Sequence, residues 1–275
     1  MSEIIYNENC FDTMNRLTPN TIDLVLTSPP YNTNRRAGLN RNLLNDKSKG
    51  YTELRYDSAV DTLTDEEYCN FTKNLFIGFD KILKSNGCVL YNISYGSENT
   101  EGMFLAINSI LVNTPFTIAD TIVWKKKSAL PNNVSSNKLT RICEFVFVFC
   151  RKSEFNSFYC NKQIKSYMPS GQPVYENILN FVEAPNNNGN CPYNKATYST
   201  ELCDWLLSIY APINAKVYDP FMGSGTTAVS CKQNGLDCIG SEISELQCKF
   251  ANERLEHMQI LTAKTKYKQT ALKLF

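Results

Sequence analysis

Short apolar runs, each closed by a turn or corner, alternate in this sequence with stretches of helical periodicity, and that rhythm leaves few folds open. Ile22–Thr27 (IDLVLT) ends against Pro29-Pro30. Gly87–Ile93 (GCVLYNI) follows a helical pattern over Asp65–Leu83 that Asn86-Gly87 stops. Ile118–Trp124 and Glu144–Phe149 (EFVFVF) are two more runs, Lys216–Tyr218 leads into Asp219-Pro220, and Asp237–Gly240 follows a helical stretch. Runs of this length read as buried strands. Strands alternating with helices predict a mostly parallel wound sheet flanked by helices. With 275 residues, 43% of them apolar, the chain can bury the core of one large α/β domain.

Two segments break the rhythm. Residues 32–57 are polar, basic and rich in Asn, and residues 152–194 are loop-like, with PSGQP and APNNNGNCP inside them. Loops this long in a compact domain are usually functional or disordered. The expected organisation is one domain over residues 1–261, with two candidate recognition inserts and a Lys/Thr-rich tail over 262–275.

The net charge of +1 argues against a protein that coats nucleic acid nonspecifically, but it averages over two basic clusters. One holds Arg35, Arg36, Arg41, Lys47, Lys49 and Arg55; the other holds Lys125, Lys126, Lys127 and Lys138. The eleven cysteines include no C-x-x-C pair, and the one histidine, His257, has no cysteine at zinc-ligand spacing. Reduced thiols and no metal site are therefore expected. No stretch approaches the roughly 20 apolar residues of a membrane helix. The N-terminus MSEIIYNENC lacks the layout of a signal peptide, so the expected location is the cytosol.

Two motifs carry chemistry. In Asp219-Pro-Phe-Met-Gly-Ser-Gly-Thr-Thr227 a Gly-x-Gly turn lies between a strand and a helical run. Gly223 and Gly225 let a ligand approach the backbone closely. At the end of the next strand Glu242 is placed to accept hydrogen bonds from two ribose hydroxyls. Ligand-free tight turns are common, and it is the strand–turn–helix–strand–acid layout that gives the motif its weight. The second motif, Thr27-Ser28-Pro29-Pro30-Tyr31, also ends a strand. Two prolines can neither extend a central strand nor start most helices, so they make a stiff corner. It can present the Ser28 hydroxyl and Pro29 carbonyl as fixed acceptors and Tyr31 as a flat stacking surface. The plain alternative is a turn whose Tyr packs in the core.

TSPPY early and DPFMGSGTT late closely resemble the DNA amino-methyltransferases, in the permuted order where the catalytic half comes first. Ile122-Val-Trp-Lys-Lys-Lys followed by Leu139-Thr-Arg-Ile-Cys-Glu is similar to the family's W-x-K and R-x-x-E segment, and Lys195-Ala-Thr-Tyr-Ser-Thr-Glu-Leu to its A-x-F-P-x-x-L stretch. The likeness spans roughly residues 4–150 and 194–256. It implies a Rossmann-like S-adenosylmethionine-dependent methyltransferase fold. Asp219 would meet the methionine portion and Phe221 would pack near the cofactor. Gly223, Ser224, Gly225, Thr226 and Glu242 would complete its site. The sequence departs from the pattern where an Asp is frequent, leaving Asn9 as an acceptor, and at Tyr198-Ser199, which stand for Phe-Pro.

The resemblance also implies the chemistry. The exocyclic amine of a base is a poor nucleophile because its lone pair is delocalised. Ser28 and the Pro29 carbonyl, held by Pro30, would accept its N–H bonds and localise that pair for in-line attack on a sulfonium methyl. In duplex DNA the base must be flipped out, with Tyr31 stacking on it. Arg35, Arg36, Arg41 and Lys125–Lys127 would hold phosphates, unless they are a solvated surface. Arg141 and Glu144 either pair with each other or face DNA. Ser at position 28 resembles the cytosine-N4 members, and adenine-N6 is the alternative. The intact motifs speak against a silent DNA-binding relative, and their order against a protein-glutamine enzyme. Double-stranded DNA is the expected partner. A homodimer and a cognate restriction endonuclease are partners that the residues neither specify nor exclude.

Overall fold

The computed structural model describes residues 2–32, 63–95, 100–127, 136–137, 139–186 and 197–258. The strands are β1 (Glu3–Tyr6), β2 (Ile22–Thr27), β3 (Leu83–Ile93), β4 (Phe116–Lys126), β5 (Cys143–Arg151), β6 (Ile164–Tyr167), β7 (Pro173–Tyr175), β8 (Phe181–Ala184), β9 (Lys216–Asp219) and β10 (Asp237–Ser241). The helices are α1 (Cys10–Arg16), α2 (Asp65–Ile82), α3 (Gly102–Asn113), α4 (Thr200–Tyr210), α5 (Thr226–Gln233) and α6 (Glu245–Glu256). Eight strands form one sheet in the order β1-β10-β9-β2-β3-β5-β4-β8, and β6-β7 form a separate hairpin. All neighbours in the large sheet are parallel except where β5 runs antiparallel between β3 and β4. This is the mostly parallel wound sheet that the rhythm of the sequence predicts.

Side chains alternate across the strands, and both faces are buried. Leu24, Leu26, Leu90, Val146, Val148 and Val217 point to the face covered by α4 and α5. Val25, Val89, Tyr91, Phe147, Phe149 and Tyr218 point to the face covered by α1, α2 and α3. Phe76 of α2 centres that second layer, its ring 4.9–5.4 Å from those of Phe79, Tyr91, Phe116 and Phe149. The helices start on local signals. Thr64 and Glu67 close a capping box on α2, and Asn9, Ser199 and Ser244 cap α1, α4 and α6 through their side-chain oxygens.

The described part of the candidate insert 152–194, residues 152–186, is more ordered than its composition suggests. Its backbone is tied first to the edge where β2 and β3 begin, with Tyr159 N–H donating to the Asn86 carbonyl and Asn161 N–H to that of Ile209. It then forms the exposed β6–β7 hairpin and returns as β8, which joins the main sheet beside Val123–Lys126. Only its second half therefore climbs toward the edge where the parallel strands end.

Two glycines set the packing of the glycine turn. A Cβ on Gly240 would lie 2.3 Å from Met222 Cε, so Met222 sits in a cradle that only glycine leaves open. Gly225 has φ +83, and a Cβ there would lie 2.7 Å from Ala251 Cβ on α6. The sequence suggests that Gly225 leaves room for a ligand; in the structure it leaves room for a helix. Gly225→Ala is therefore expected to cost about 2–4 kcal/mol, from left-handed backbone strain and overpacking together. Adding Ala251→Gly should recover the overpacking part. Urea denaturation of the single and double variants measures both, and a single variant as stable as the parent would remove the close packing.

Candidate active site

Strands β2 and β9 are neighbours, paired at Leu24↔Val217 and Val25↔Tyr218. From β9 the chain moves to β10 on one side, and from β2 to β3 on the other. Connections that diverge in this way open a crevice beyond the strand C-termini, which is where open α/β sheets bind ligands. Both motifs stand there: Thr27 ends β2 and Asp219 ends β9. Thr27 Oγ1 donates to Asp219 Oδ1 at 2.8 Å across the gap.

Asp219 is buried among four hydrogen-bonding groups, two of which, the Thr227 and Tyr198 hydroxyls, also share a hydrogen bond of 2.5 Å with each other. Thr27 and the Phe221 N–H (3.0 Å) reach Oδ1; Thr227 Oγ1 (2.6 Å) and Tyr198 Oη (3.2 Å) reach Oδ2. Burial pushes its carboxyl above the usual range, and these hydrogen bonds pull it back. The turn that follows has Gly223 and Gly225 both at positive φ. Gly223 N–H donates to Glu242 Oε2 at 2.8 Å, and Ser244 N–H to Glu242 Oε1 at 2.8 Å. Glu242 is thus held at the end of β10 by backbone N–H groups, its carboxyl raised by burial. Asn7 secures the same loop, donating to the Glu242 carbonyl at 2.8 Å. Asn9 is exposed, and its side-chain oxygen accepts from Phe11 N–H as the cap of α1. The Phe221 ring lies 6.0 Å from Phe71, which meets Phe11 at 5.9 Å and Tyr68 at 6.3 Å. These rings give the crevice an apolar, aromatic wall. Ser224 carbonyl accepts from Arg254, and Thr226 opens α5.

The Pro-Pro corner is fastened from three sides. Tyr68 Oη donates to the Pro30 carbonyl at 2.7 Å, and Asn32, at φ +53, donates to the Leu63 carbonyl at 2.9 Å. Tyr31 Oη lies 3.0 Å from Ser28 Oγ, 3.0 Å from Asn92 Oδ1 and 3.1 Å from Glu144 Oε2. Asn92 Nδ2 donates to the Phe145 carbonyl at 3.1 Å, which turns its oxygen toward Tyr31. The other oxygen of Glu144 pairs with Lys126. The sequence points to the ring of Tyr31; the structure adds a role for its hydroxyl.

Glu144 thus pairs with Lys126, and the exposed Arg141 lies over the Tyr95 ring at 4.9 Å, so the pairing alternative for Arg141 and Glu144 is not the one adopted. Lys125 pairs with Glu183 at 3.0 Å and Lys127 with Glu201 at 2.8 Å, both with side chains about half exposed. Exposed pairs of this kind contribute at most about 1 kcal/mol and exchange partners readily. Arg35, Arg36 and Arg41 lie outside the described residues. Sequence reasoning missed Thr27 as a link, Asn7, Tyr68 and Asn92. None of these forms a spacing pattern, because each acts through a partner far along the chain.

Among the described residues no helix is long and apolar enough to cross a membrane. A family model described as DNA methylase, for N6 and N4 enzymes, matches residues 22–253. The orphan methyltransferase M.BamHII of Bacillus amyloliquefaciens is 26% identical, covering 88% of this chain and 91% of that protein. The type II methyltransferase M2.MboI of Moraxella bovis is 25% identical, covering 96% and 91%. Among solved structures, the cytosine-N4-specific PvuII DNA methyltransferase superposes with a TM-score of 0.69 at 15% identity, covering 99% of this chain and 91% of that one. M1.HpyAVI in complex with S-adenosylmethionine superposes with 0.58 at 20% identity, covering 92% and 100%. With the Pro-Pro corner and the glycine turn hydrogen-bonded at one crossover point and the family match running through both, this chain belongs to the DNA amino-methyltransferases, a family that uses S-adenosylmethionine.

Proposed function

We propose that the chain flips a cytosine out of double-stranded DNA and methylates its N4 amine. The observation that carries this reading is an excess of acceptors at the Pro-Pro corner. Ser28 Oγ, Tyr31 Oη, Asn92 Oδ1 and Glu144 Oε2 stand together with only two hydroxyl protons among them. The Asn92 amide protons face the other way, and Lys126 holds the far oxygen of Glu144. An amine with two N–H bonds complements such a corner. A carbonyl or phosphate does not.

The cofactor fits the crevice on the opposite side. Glu242 keeps acceptor capacity for ribose hydroxyls, Gly223 and Ser224 bring backbone close, and Phe221, Phe71 and Phe11 offer an apolar wall. Gly225 and Thr226 set the start of α5 behind that turn, and Asn9 stands at the neighbouring helix start. Bound S-adenosylmethionine supplies a methyl group already activated by its sulfonium charge. Ser28 and the Pro29 carbonyl accept the amine N–H bonds and favour a tetrahedral nitrogen, Pro30 keeps that carbonyl in place, and Tyr31 stacks on the flipped base. Arg35, Arg36 and Arg41, with Lys125 and Lys127 released from their carboxylates, hold the phosphates. Lys126 has the more internal task of neutralising Glu144. Serine at position 28 supports cytosine, as does the cytosine-N4 specificity of the PvuII enzyme whose fold this chain shares. The cytosol is the compartment that suits a DNA substrate of this kind.

Digested DNA from cells expressing the chain is expected to contain N4-methylcytosine by mass spectrometry. N6-methyladenine alone would move the base and keep the mechanism. No methyl transfer from labelled cofactor to any DNA would end the reading. Ser28→Ala should lower turnover about 10- to 100-fold with little change in DNA affinity, since it removes an acceptor needed mainly in the transition state. Tyr31→Phe, which keeps the ring, should still lose about 1–2 kcal/mol of transition-state stabilisation, because two acceptors lose their shared proton.

Charge reversal at Arg35 and Arg36 tests the DNA-binding role separately. The slope of log affinity against log salt should become shallower by about 0.9 for each phosphate that is no longer neutralised, and cofactor affinity should hold. Equal slopes for variant and parent would put these arginines away from the backbone.

A further inference from the structure

We propose that Asp219 acts on the catalytic corner and not on the amino-acid end of the cofactor: it is a positioning residue that fixes Thr27, and through it Ser28 and Pro29, against the glycine turn. The proposal rests on the methyltransferase reading above. A carboxylate offers about four in-plane lone-pair directions. Four groups from different parts of the chain crowd these directions in Asp219: Thr27 at the end of β2 and Phe221 in the turn donate to Oδ1, and the hydroxyls of Thr227 in the first turn of α5 and Tyr198 ahead of α4, themselves 2.5 Å apart, surround Oδ2. The side chain is 1% exposed. A substrate ammonium group would have to displace one of these groups to reach it.

The link to Thr27 stands where the sheet itself provides none. The β2–β9 ladder ends at Val25↔Tyr218. Beyond it, β2 continues to pair with β3 as far as Thr27↔Tyr91, but toward β9 the connection passes to the Thr27–Asp219 hydrogen bond. That bond sets the distance between the acceptors at Ser28 and Pro29 on one side and the turn at Phe221–Gly223 on the other. The amine and the methyl group must meet across this distance, and a small error in it costs rate steeply. Tyr198 sharpens the case. Where the family pattern has a phenylalanine, this chain has a hydroxyl, and that hydroxyl bridges Asp219 and Thr227.

The experiment compares Thr27→Val and Asp219→Asn with the parent by calorimetry, using S-adenosylhomocysteine and 5′-methylthioadenosine. The second ligand lacks the amino-acid portion. Single-turnover methyl transfer to DNA is measured alongside. Thr27→Val should bind both ligands within about twofold of the parent and transfer methyl about 10-fold or more slowly, the loss of one hydrogen bond to a charged acceptor. Thr27→Ser, which keeps the hydroxyl, should restore the rate. In Asp219→Asn the affinities for the two ligands should change by the same factor. Asp219→Asn that loses S-adenosylhomocysteine at least 10-fold more than 5′-methylthioadenosine would overturn the proposal and make Asp219 a ligand of the amino-acid portion. If Asp219→Asn does not fold, Thr27→Val decides, since it leaves the carboxylate intact: parental transfer overturns the proposal. A parent chain that binds neither ligand fails the methyltransferase reading itself and takes this proposal with it. A parent that binds both ligands while Thr27→Val transfers at full rate overturns this proposal alone.

Discussion

The crevice of this enzyme exists because two adjacent parallel strands send the chain in opposite directions. Between β2 and β9 no helix can cross over the strand ends, since one connection leaves toward β3 and the other toward β10. A gap is left at the C-terminal edge, and two buried halves of the molecule face each other across it. The backbone ladder joining the halves is short, two residue pairs at Leu24 and Val25. Side chains therefore carry the connection at the height of the chemistry. Asp219 is suited to this because an ionised carboxylate accepts only, takes several donors, and makes charge-assisted bonds stronger than neutral ones. Its burial is costly by itself, and its hydrogen bonds offset that cost.

The rest of the site follows from keeping that gap at a fixed width. Gly225 lets α5 approach α6 at Ala251, and Gly240 receives Met222, so the turn between β9 and α5 is clamped from below. Glu242 fixes the turn from the side through the Gly223 amide. On the far bank, Tyr68 and Asn32 hold the Pro-Pro corner from α2 and the segment before it. The glycine contacts are close packing, and the polar ones use buried groups that have no alternative solvent partner, which is what makes the arrangement rigid.

Much of this architecture is legible in the sequence. Ile22–Thr27 is a strand with the predicted bounds, and α2 ends at Ile82, one residue short of the expected Leu83. Buried parallel strands read clearly because both faces are apolar. The strands of residues 152–194 do not, since β6 and β7 are exposed throughout and carry no burial pattern. The two motifs are legible because the turn and the corner need particular residue types. Their linkage is not, because Thr27 and Asp219 are 192 residues apart and nothing local marks either as the other's partner. The same holds for Glu144 and Tyr31, 113 residues apart. For Gly225 the residue type is informative and the reason it suggests is incomplete: glycine signals a close approach, and the sequence does not say of what.

The two departures from the family pattern at Tyr198-Ser199 have separate physical consequences. A proline ahead of a helix supplies a fixed φ; Ser199 instead supplies an oxygen that accepts from Leu202 N–H, so α4 still starts at Thr200. A phenylalanine at 198 would fill the same space under the crevice, yet Tyr198 adds a buried hydroxyl that must find partners, and it finds them in Asp219 and Thr227. The hydroxyl therefore cannot be neutral toward the site. Removing it changes the hydrogen bonding of Thr227 and of the buried carboxylate that also holds Thr27. The substitution ties the segment entering α4 to Asp219 and Thr227, so a helix that covers the sheet is also connected to the hydrogen bonds that join the two banks of the crevice.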